Sequence, residues 1–282
     1  MRIPSNKICD ITRFALNELN GIYPEREIKS LVNILITHFT GFSLATIIAE
    51  PNKTVLESDL LKLNFAIKDL KAEKPLQYII GETEFYGLNI RLKHNVLIPR
   101  PETEELVDLI IKENKDIPNL RIADLGTGSG AIALAIKKNI PNAEVFGFDI
   151  SEDALLQSKD NATKLNLDVI FEEGNILDNN FTKERFDLIV SNPPYVMEKE
   201  KKEIRNNVLE YEPHLALFVS NSDPLIYYRA IAEFAKTNLN KGGKVYLEIN
   251  EALGQETAEL FNCTTRIIKD IFDKDRIIVA NY

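Results

Sequence analysis

The chain has 282 residues, 44% of them apolar and 27% charged, with a net charge of −9 at pH 7. That length suits one large domain with a smaller one, and the composition is that of a globular protein in water. The acidic balance speaks against a general nucleic-acid binder, which needs a basic face for phosphates, and leaves a basic protein partner open.

The start of the chain, through Lys7, is not followed by the apolar core of a signal peptide. No apolar run approaches the ~20 residues that cross a bilayer. Cys9 and Cys263 lie near opposite ends without a pairing pattern, which fits a reduced, cytoplasmic setting. His38, His94 and His214 are scattered, so no metal site is expected.

In chain order, the first elements read as helices. Ile8, Ile11, Ala15 and Leu19 recur at helical spacing before Gly21, and Ile28, Leu31, Leu35 and Phe39 continue a stripe from Pro24 towards Gly41. Leu60, Leu63, Ile67 and Leu70 form another after Ser58. Residues 1–74 are therefore expected to form a small helical domain. Glu82–Tyr86 and Asn89–Leu92 alternate around Gly87 as a short hairpin, placed in a linker over residues 75–98.

Residues 99–282 then alternate helix and strand. Helices are expected at Glu104–Glu113, Ala131–Lys138 and Asp153–Leu165. Strands are expected at Arg121–Leu125, Glu144–Asp149, Val169–Phe171 and Phe186–Val190. The pattern predicts an α/β fold, an open and largely parallel sheet covered by helices. A closing hairpin of Thr265–Asp270 and Arg276–Ala280 adds one antiparallel strand.

Asp124-Leu125-Gly126-Thr127-Gly128-Ser129-Gly130 sits where an apolar strand turns into a helix. Glycines there allow a sharp turn and a close ligand, and the helix start offers free N–H groups. Asp149 closes the next strand, where a carboxylate accepts bonds from ribose hydroxyls. The glycines do not match the G-x-G-x-x-G of a dinucleotide site. The acidic Asp124 would repel a pyrophosphate and suits a cofactor carrying an ammonium and a sulfonium, which favours S-adenosylmethionine over NAD.

Ser191-Asn192-Pro193-Pro194-Tyr195 follows the strand ending at Val190. The prolines fix the backbone and keep carbonyls out of the ladder. The Asn192 side chain and the Pro193 carbonyl supply two acceptors that converge on the two hydrogens of an –NH2 group, and Tyr195 can lie against its flat face. The tetrapeptide thus reads as a holder for a planar amide or amine nitrogen.

With both motifs in place, the sequence resembles the HemK/PrmC family, the protein-(glutamine-N5) methyltransferases of class 1 peptide chain release factors. The resemblance extends through Pro75–Gly81, Glu84–Gly87, Val96–Val107, Tyr211-Glu212-Pro213 and Leu247-Glu248-Ile249. It implies a class I, Rossmann-like, seven-stranded S-adenosylmethionine-dependent methyltransferase domain behind an all-helical substrate-recognition domain and a hairpin linker. It further implies a methyl transfer to the glutamine of a Gly-Gly-Gln loop.

Carried over by position, Gly126, Thr127, Gly128, Ser129, Gly130, Asp149, Asn175, Ile176 and Asn192 would contact the cofactor. Asn192, Pro193 and Tyr195 would be catalytic, and Pro194, Arg100, Glu102, Thr103 and Phe85 would help bind substrate. The alternative readings are a surface or helix-end residue for Arg100 and an N-cap for Thr103. Asn175 stands where the family usually has an acidic residue, and Ile176 where an aromatic wall is expected.

Three other readings stay open. A sister enzyme acting on a glutamine of a large-subunit ribosomal protein shares the tetrapeptide. An N6-adenine DNA methyltransferase would have to flip its base and hold a polyanion. A cofactor-sensing scaffold would not require an amide holder. The partner expected is a release factor, with no stable nucleic-acid complex, no membrane and a monomeric chain.

Overall fold

The computed structural model describes residues 3–93, 95–178 and 180–282, so His94 lies outside the described residues. The chain divides into two compact units, one running up to Gly81 with Asn206–Tyr211 added, the other comprising Glu82–Arg205 and Glu212–Tyr282.

The first unit is helical: α1 (Ile8–Leu19), α2 (Glu25–Thr40), α3 (Leu44–Ala49), α4 (Glu57–Lys71) and α5 (Leu76–Ile80). The stripe expected for α1 is buried as read. In α2 the buried positions are Ile28, Val32, Leu35 and Ile36, with Leu31 and Phe39 on the flank of the core. The apolar arc is therefore wider than one residue per turn. Gly41 closes α2 at φ 74°, a left-handed cap that glycine reaches without a Cβ clash. Helix α3, capped by the Ser43 hydroxyl, and α5 are too short to show periodicity and went unread. Tyr211 joins this unit by donating its hydroxyl to the Ala72 carbonyl at 2.7 Å.

The second unit contains β1 (Glu82–Phe85), β2 (Leu88–Arg91), α6 (Pro101–Asn114), β3 (Arg121–Leu125), α7 (Ala131–Asn139), β4 (Glu144–Asp149), α8 (Glu152–Leu165), β5 (Ile170–Glu173) and β6 (Phe186–Ser191). After β7 (Val196–Met197), α9 (Asn206–Leu209) and β8 (Phe218–Val219) come α10 (Ile226–Asn238), β9 (Leu239–Glu248), α11 (Gly254–Ala258), β10 (Thr264–Lys269) and β11 (Asp275–Asn281). Helix α9 falls in the helical unit.

Seven strands form the main sheet in the order β10-β11-β9-β6-β3-β4-β5. Neighbours from β5 to β9 are parallel, while β11 runs antiparallel to both β9 and β10. The expected α/β class, with its single antiparallel strand, is what the chain adopts. The hairpin of β1 and β2 is anchored within this unit, where Arg91 N–H donates to Asn161 at 2.8 Å. Strand β9 is the sheet member that periodicity missed. Its first half, Leu239-Asn240-Lys241-Gly242-Gly243, is polar and glycine-rich, unlike a buried parallel strand.

The sheet's core is aromatic. Phe186 stands edge-on to Phe146 at 5.4 Å between ring centres, and both pack with Phe148 and Phe234. Among the described residues, no helix is long and apolar enough to cross a membrane.

Parallel register sets the site. Asp124 pairs with Gly147 on one side and Val190 on the other, so β3, β4 and β6 end together and their loops emerge side by side. Gly147 has no room for a side chain: a Cβ there would lie 2.5 Å from the Phe171 ring and 2.8 Å from Thr127 Oγ1. Gly147→Ala should therefore cost about 1–3 kcal/mol through forced repacking under the glycine loop. The check is a lowered urea midpoint with an unchanged slope.

Candidate functional site

Strand β3 ends in the glycine loop. Gly126 and Thr127 both donate their N–H groups to the Phe148 carbonyl, at 2.8 and 2.9 Å, which folds the loop back over β4. Gly126, Gly128 and Gly130 all have positive φ, at 74°, 55° and 80°. An L side chain is strained at each, which explains the spacing of every second residue. The loop is pinned from below, because Asn161 donates to the Ser129 carbonyl at 2.9 Å.

Two carboxylates organise this loop. Asp149 accepts the Gly128 N–H at 2.8 Å through one oxygen and the Ser151 N–H at 2.9 Å through the other. Burial raises its carboxyl above the usual range, and those backbone N–H groups oppose the shift. Asp124 is fully buried and accepts the Thr127 hydroxyl at 2.6 Å through Oδ2. Its Oδ1 has no hydrogen-bond partner. Burial pushes Asp124 up to about 7, against the opposing Thr127 bond and the weaker pull of the Ala133 backbone N–H, which lies outside hydrogen-bond geometry. A buried carboxylate oxygen without a donor suits a cationic ligand group.

A cavity of about 330 Å³ opens above these loops. Gly126, Thr127, Gly128, Ser129 and Asp149 line one side, and Asn175 and Ile176 lie with them. Gly130 caps α7 behind the lining residues, and a Cβ there would press on Ser158, Phe171 and Leu134. The Asn175 side-chain carbonyl already accepts the Leu177 N–H at 3.0 Å in a local turn, so only a second lone pair is left for a ligand. Ile176 is buried, and its Cδ1 would lie 3.5 Å from a Cβ at Gly126, so the wall is aliphatic here.

Asn192 and Pro194 face the same cavity from the end of β6, with Phe85, Arg100 and Thr103 from other elements. Pro193 is buried, Tyr195 partly so, and neither they nor Glu102 line the cavity wall. Tyr86, beside Phe85, turns to α6 and donates its hydroxyl to Asp108 at 3.1 Å. It packs the hairpin against α6.

The helix-end alternatives for Arg100 and Thr103 resolve differently. Arg100 occupies the N-cap position of α6 without a side-chain cap bond, and Pro101 takes the first turn. The Arg100 guanidinium instead donates to Glu212 at 2.6 Å. Glu212, 4% exposed, also accepts the Ile98 N–H at 3.2 Å, fixing the Ile98–Arg100 stretch along the cavity. Thr103 lies inside the first turn, and its hydroxyl is not an N-cap. It accepts from Asn192 Nδ2 at 3.1 Å and donates to Glu248 at 2.6 Å.

Glu248 is the residue that motif reading did not place in the site. Its carboxylate, 1% exposed, also accepts the Tyr195 hydroxyl at 3.0 Å. Burial raises its carboxyl, opposed by the bonds from Thr103 and Tyr195 and by the charge of Arg276. Tyr195 is pushed well above the usual phenol range by burial and then by Glu248, so it stays a neutral donor. The available signal was an acidic residue inside the apolar end of a strand, which is rare unless paired.

Known proteins resemble this chain along nearly its whole length. A family model described as a methyltransferase domain matches residues 117–275, and one described as the PrmC N-terminal domain matches residues 10–81. A release factor glutamine methyltransferase of Flavobacterium psychrophilum is 47% identical, over 94% of this chain and 95% of its own. Another, from Bacteroides thetaiotaomicron, is 44% identical over 96% of this chain and 99% of its own. Among solved structures, a methyltransferase from Pyrococcus furiosus superposes with a TM-score of 0.52, covering 80% of this chain and 98% of that one at 18% identity. That likeness is one of fold.

Asp124 makes the unliganded protein sensitive to pH. Between its unfolded value of 3.8 and its folded value of about 7, the folded chain holds a proton that the unfolded chain has lost. Stability from this group is full below the lower value and is lost as pH rises through the upper one, by at most about 1.4 kcal/mol per pH unit. Asp124→Asn should therefore gain stability relative to the parent as pH is raised from 5 to 8. Urea midpoints of both proteins at the two pH values check this; a constant difference would contradict it.

Proposed function

The chain belongs to the release factor glutamine methyltransferase family, and on that footing we propose that it transfers a methyl group from S-adenosylmethionine to the side-chain amide nitrogen of the glutamine in the Gly-Gly-Gln motif of class 1 peptide chain release factors. The observation that carries this is the shared cavity: the Asn192 amide, the glycine loop and Asp149 line one space.

The chain's residues fit the cofactor at its chemically distinct ends. Asp149 suits ribose hydroxyls and Asn175 with Ile176 suits the adenine, while Asp124, buried and bonded to Thr127 rather than lining the cavity, contributes a field that favours cationic groups. When bound, S-adenosylmethionine supplies an already activated methyl on a sulfonium.

The protein's work is then to aim a poor nucleophile. An amide nitrogen is delocalised, as the ~18–20 kcal/mol rotation barrier of a peptide bond measures. With Asn192 Nδ2 spent on Thr103, its Oδ1 is left to accept one hydrogen of the substrate –NH2, and the Pro193 carbonyl takes the other. Tyr195 backs the planar group. Acceptors at both N–H bonds favour partial localisation of the lone pair on nitrogen. As positive charge grows there, they bind the transition state more tightly than the ground state. The nitrogen needs no general base before transfer.

Recognition of the protein substrate falls to the helical unit in this reading. Its exposed Leu44, Ile48, Leu56, Leu61 and Phe65 keep apolar side chains in water, where a protein partner can bury them. The enzyme is taken to act as a cytoplasmic monomer, without stable nucleic-acid binding, and the net charge of −9 supports the latter.

Incubation of the purified chain with labelled S-adenosylmethionine and, separately, a class 1 release factor, the large-subunit ribosomal proteins and DNA should label only the release factor. Loss of that label on replacing the motif glutamine locates the acceptor. Labelling of ribosomal protein or DNA alone would refute the reading. Asn192→Ala should reduce transfer by at least about 100-fold, as removal of one preorganised polar group does elsewhere. Cofactor affinity, measured by calorimetry, should stay within about threefold.

A further inference from the structure

We propose that Glu248 sets which end of the Asn192 side-chain amide faces the substrate, acting through the Thr103 hydroxyl, while its second oxygen holds Tyr195. The catalytic part of this inference rests on the methyl-transfer reading above; the orientation itself does not.

The logic is one of hydrogens. An ionised carboxylate can only accept. Glu248 Oε2 takes the Thr103 hydroxyl hydrogen at 2.6 Å, and Oε1 takes that of Tyr195 at 3.0 Å. A threonine hydroxyl has one hydrogen. Once it is given to Glu248, the oxygen can only accept from Asn192, which stands 3.1 Å away and must present Nδ2. That fixes the amide flip and leaves Oδ1 for the substrate. The opposite flip would turn a donor towards the hydrogens of an –NH2 group.

The surroundings hold this arrangement. Tyr195 is tied at its carbonyl by Asn250 Nδ2 at 3.1 Å. The Glu248 backbone carbonyl accepts the Tyr228 hydroxyl at 3.4 Å. Burial raises the Glu248 carboxyl, and the two hydroxyl bonds together with the charge of Arg276 oppose that shift toward the neutral form. Glu248 and Thr103 are 145 positions apart in sequence, yet both are buried behind the clamp. Neither acts on the reacting nitrogen directly, so both are positioning residues.

Glu248→Gln keeps the shape but can accept at only one end, so either Thr103 or Tyr195 must turn its hydrogen round. Thr103→Val removes the relay, and Thr103→Ser restores it. With the acceptor that the labelling assay identifies, Glu248→Gln and Thr103→Val should each lower kcat by about 100-fold, with the cofactor Kd within about threefold. Thr103→Ser should recover most of the rate.

Two readouts separate orientation from mere packing. The double variant should lose no more than the worse single one, since both act through one chain of bonds. In ¹⁵N spectra of the unliganded protein, the Asn192 side-chain –NH2 pair, identified by its loss in Asn192→Ala, should be slow to exchange in the parent and in Thr103→Ser. It should be fast in Thr103→Val. An amide signal indifferent to Thr103→Val, or a kcat within threefold of the parent in both Thr103→Val and Glu248→Gln, would overturn the proposal. Should Glu248→Gln not fold, Thr103→Val alone decides. A parent protein that labels no acceptor would sink the functional reading, and the amide signal would still judge this one.

Discussion

One buried hydrogen bond joins the two halves of the site: Ser191 donates its hydroxyl to the Leu125 carbonyl at 2.6 Å. Leu125 and Ser191 are partners in the parallel ladder, each the last residue of its strand. The residue after one is Gly126, and after the other Asn192. A parallel pair leaves its terminal carbonyls without ladder partners, and a serine here satisfies one of them. The glycine loop and the Asn192–Tyr195 tetrapeptide are thereby fixed at neighbouring strand ends. Methyl transfer needs such fixity, because its rate depends on the approach of two groups within a few tenths of an ångström.

The site also concentrates acidic groups where water is absent. Asp124, Glu212 and Glu248 are all buried, and each answers to a different demand. Glu212 is paired with a guanidinium and a backbone N–H, so its burial is compensated. Glu248 is satisfied by two hydroxyls. Asp124 keeps one oxygen bare. Burial without full compensation disfavours the charged form, and the raised carboxyl of Asp124 is the result.

Much of this is legible in the sequence itself. The glycine loop and the tetrapeptide were readable because their chemistry is local: positive φ demands glycine, and consecutive prolines expose carbonyls. The strands β3, β4 and β6 were readable because both faces are largely buried and each carries a short, mostly apolar run. Strand β9 was not, since Gly242 and Gly243 interrupt it and its apolar half begins only at Val245. The roles of Thr103 and Glu248 were hidden for a different reason. Their meaning lies in a contact that topology alone creates, by bringing the first turn of α6 under the end of a strand far along the chain. Sequence offered a lone threonine with two plausible local uses, and the fold gave it a third.

Strand β11 follows every other strand of the main sheet in the chain, yet it lies inside that sheet, between β9 and β10. Its Ile277 pairs directly with Glu248. During synthesis the N-terminal parts of a chain emerge and fold first. The glycine loop, β4 and β6 can assemble on the nascent chain, but β9 keeps an open edge until β11 arrives. Order behind Asn192 and Tyr195 thus waits on the strand translated after all the others of its sheet, so the site is completed only when the sheet is.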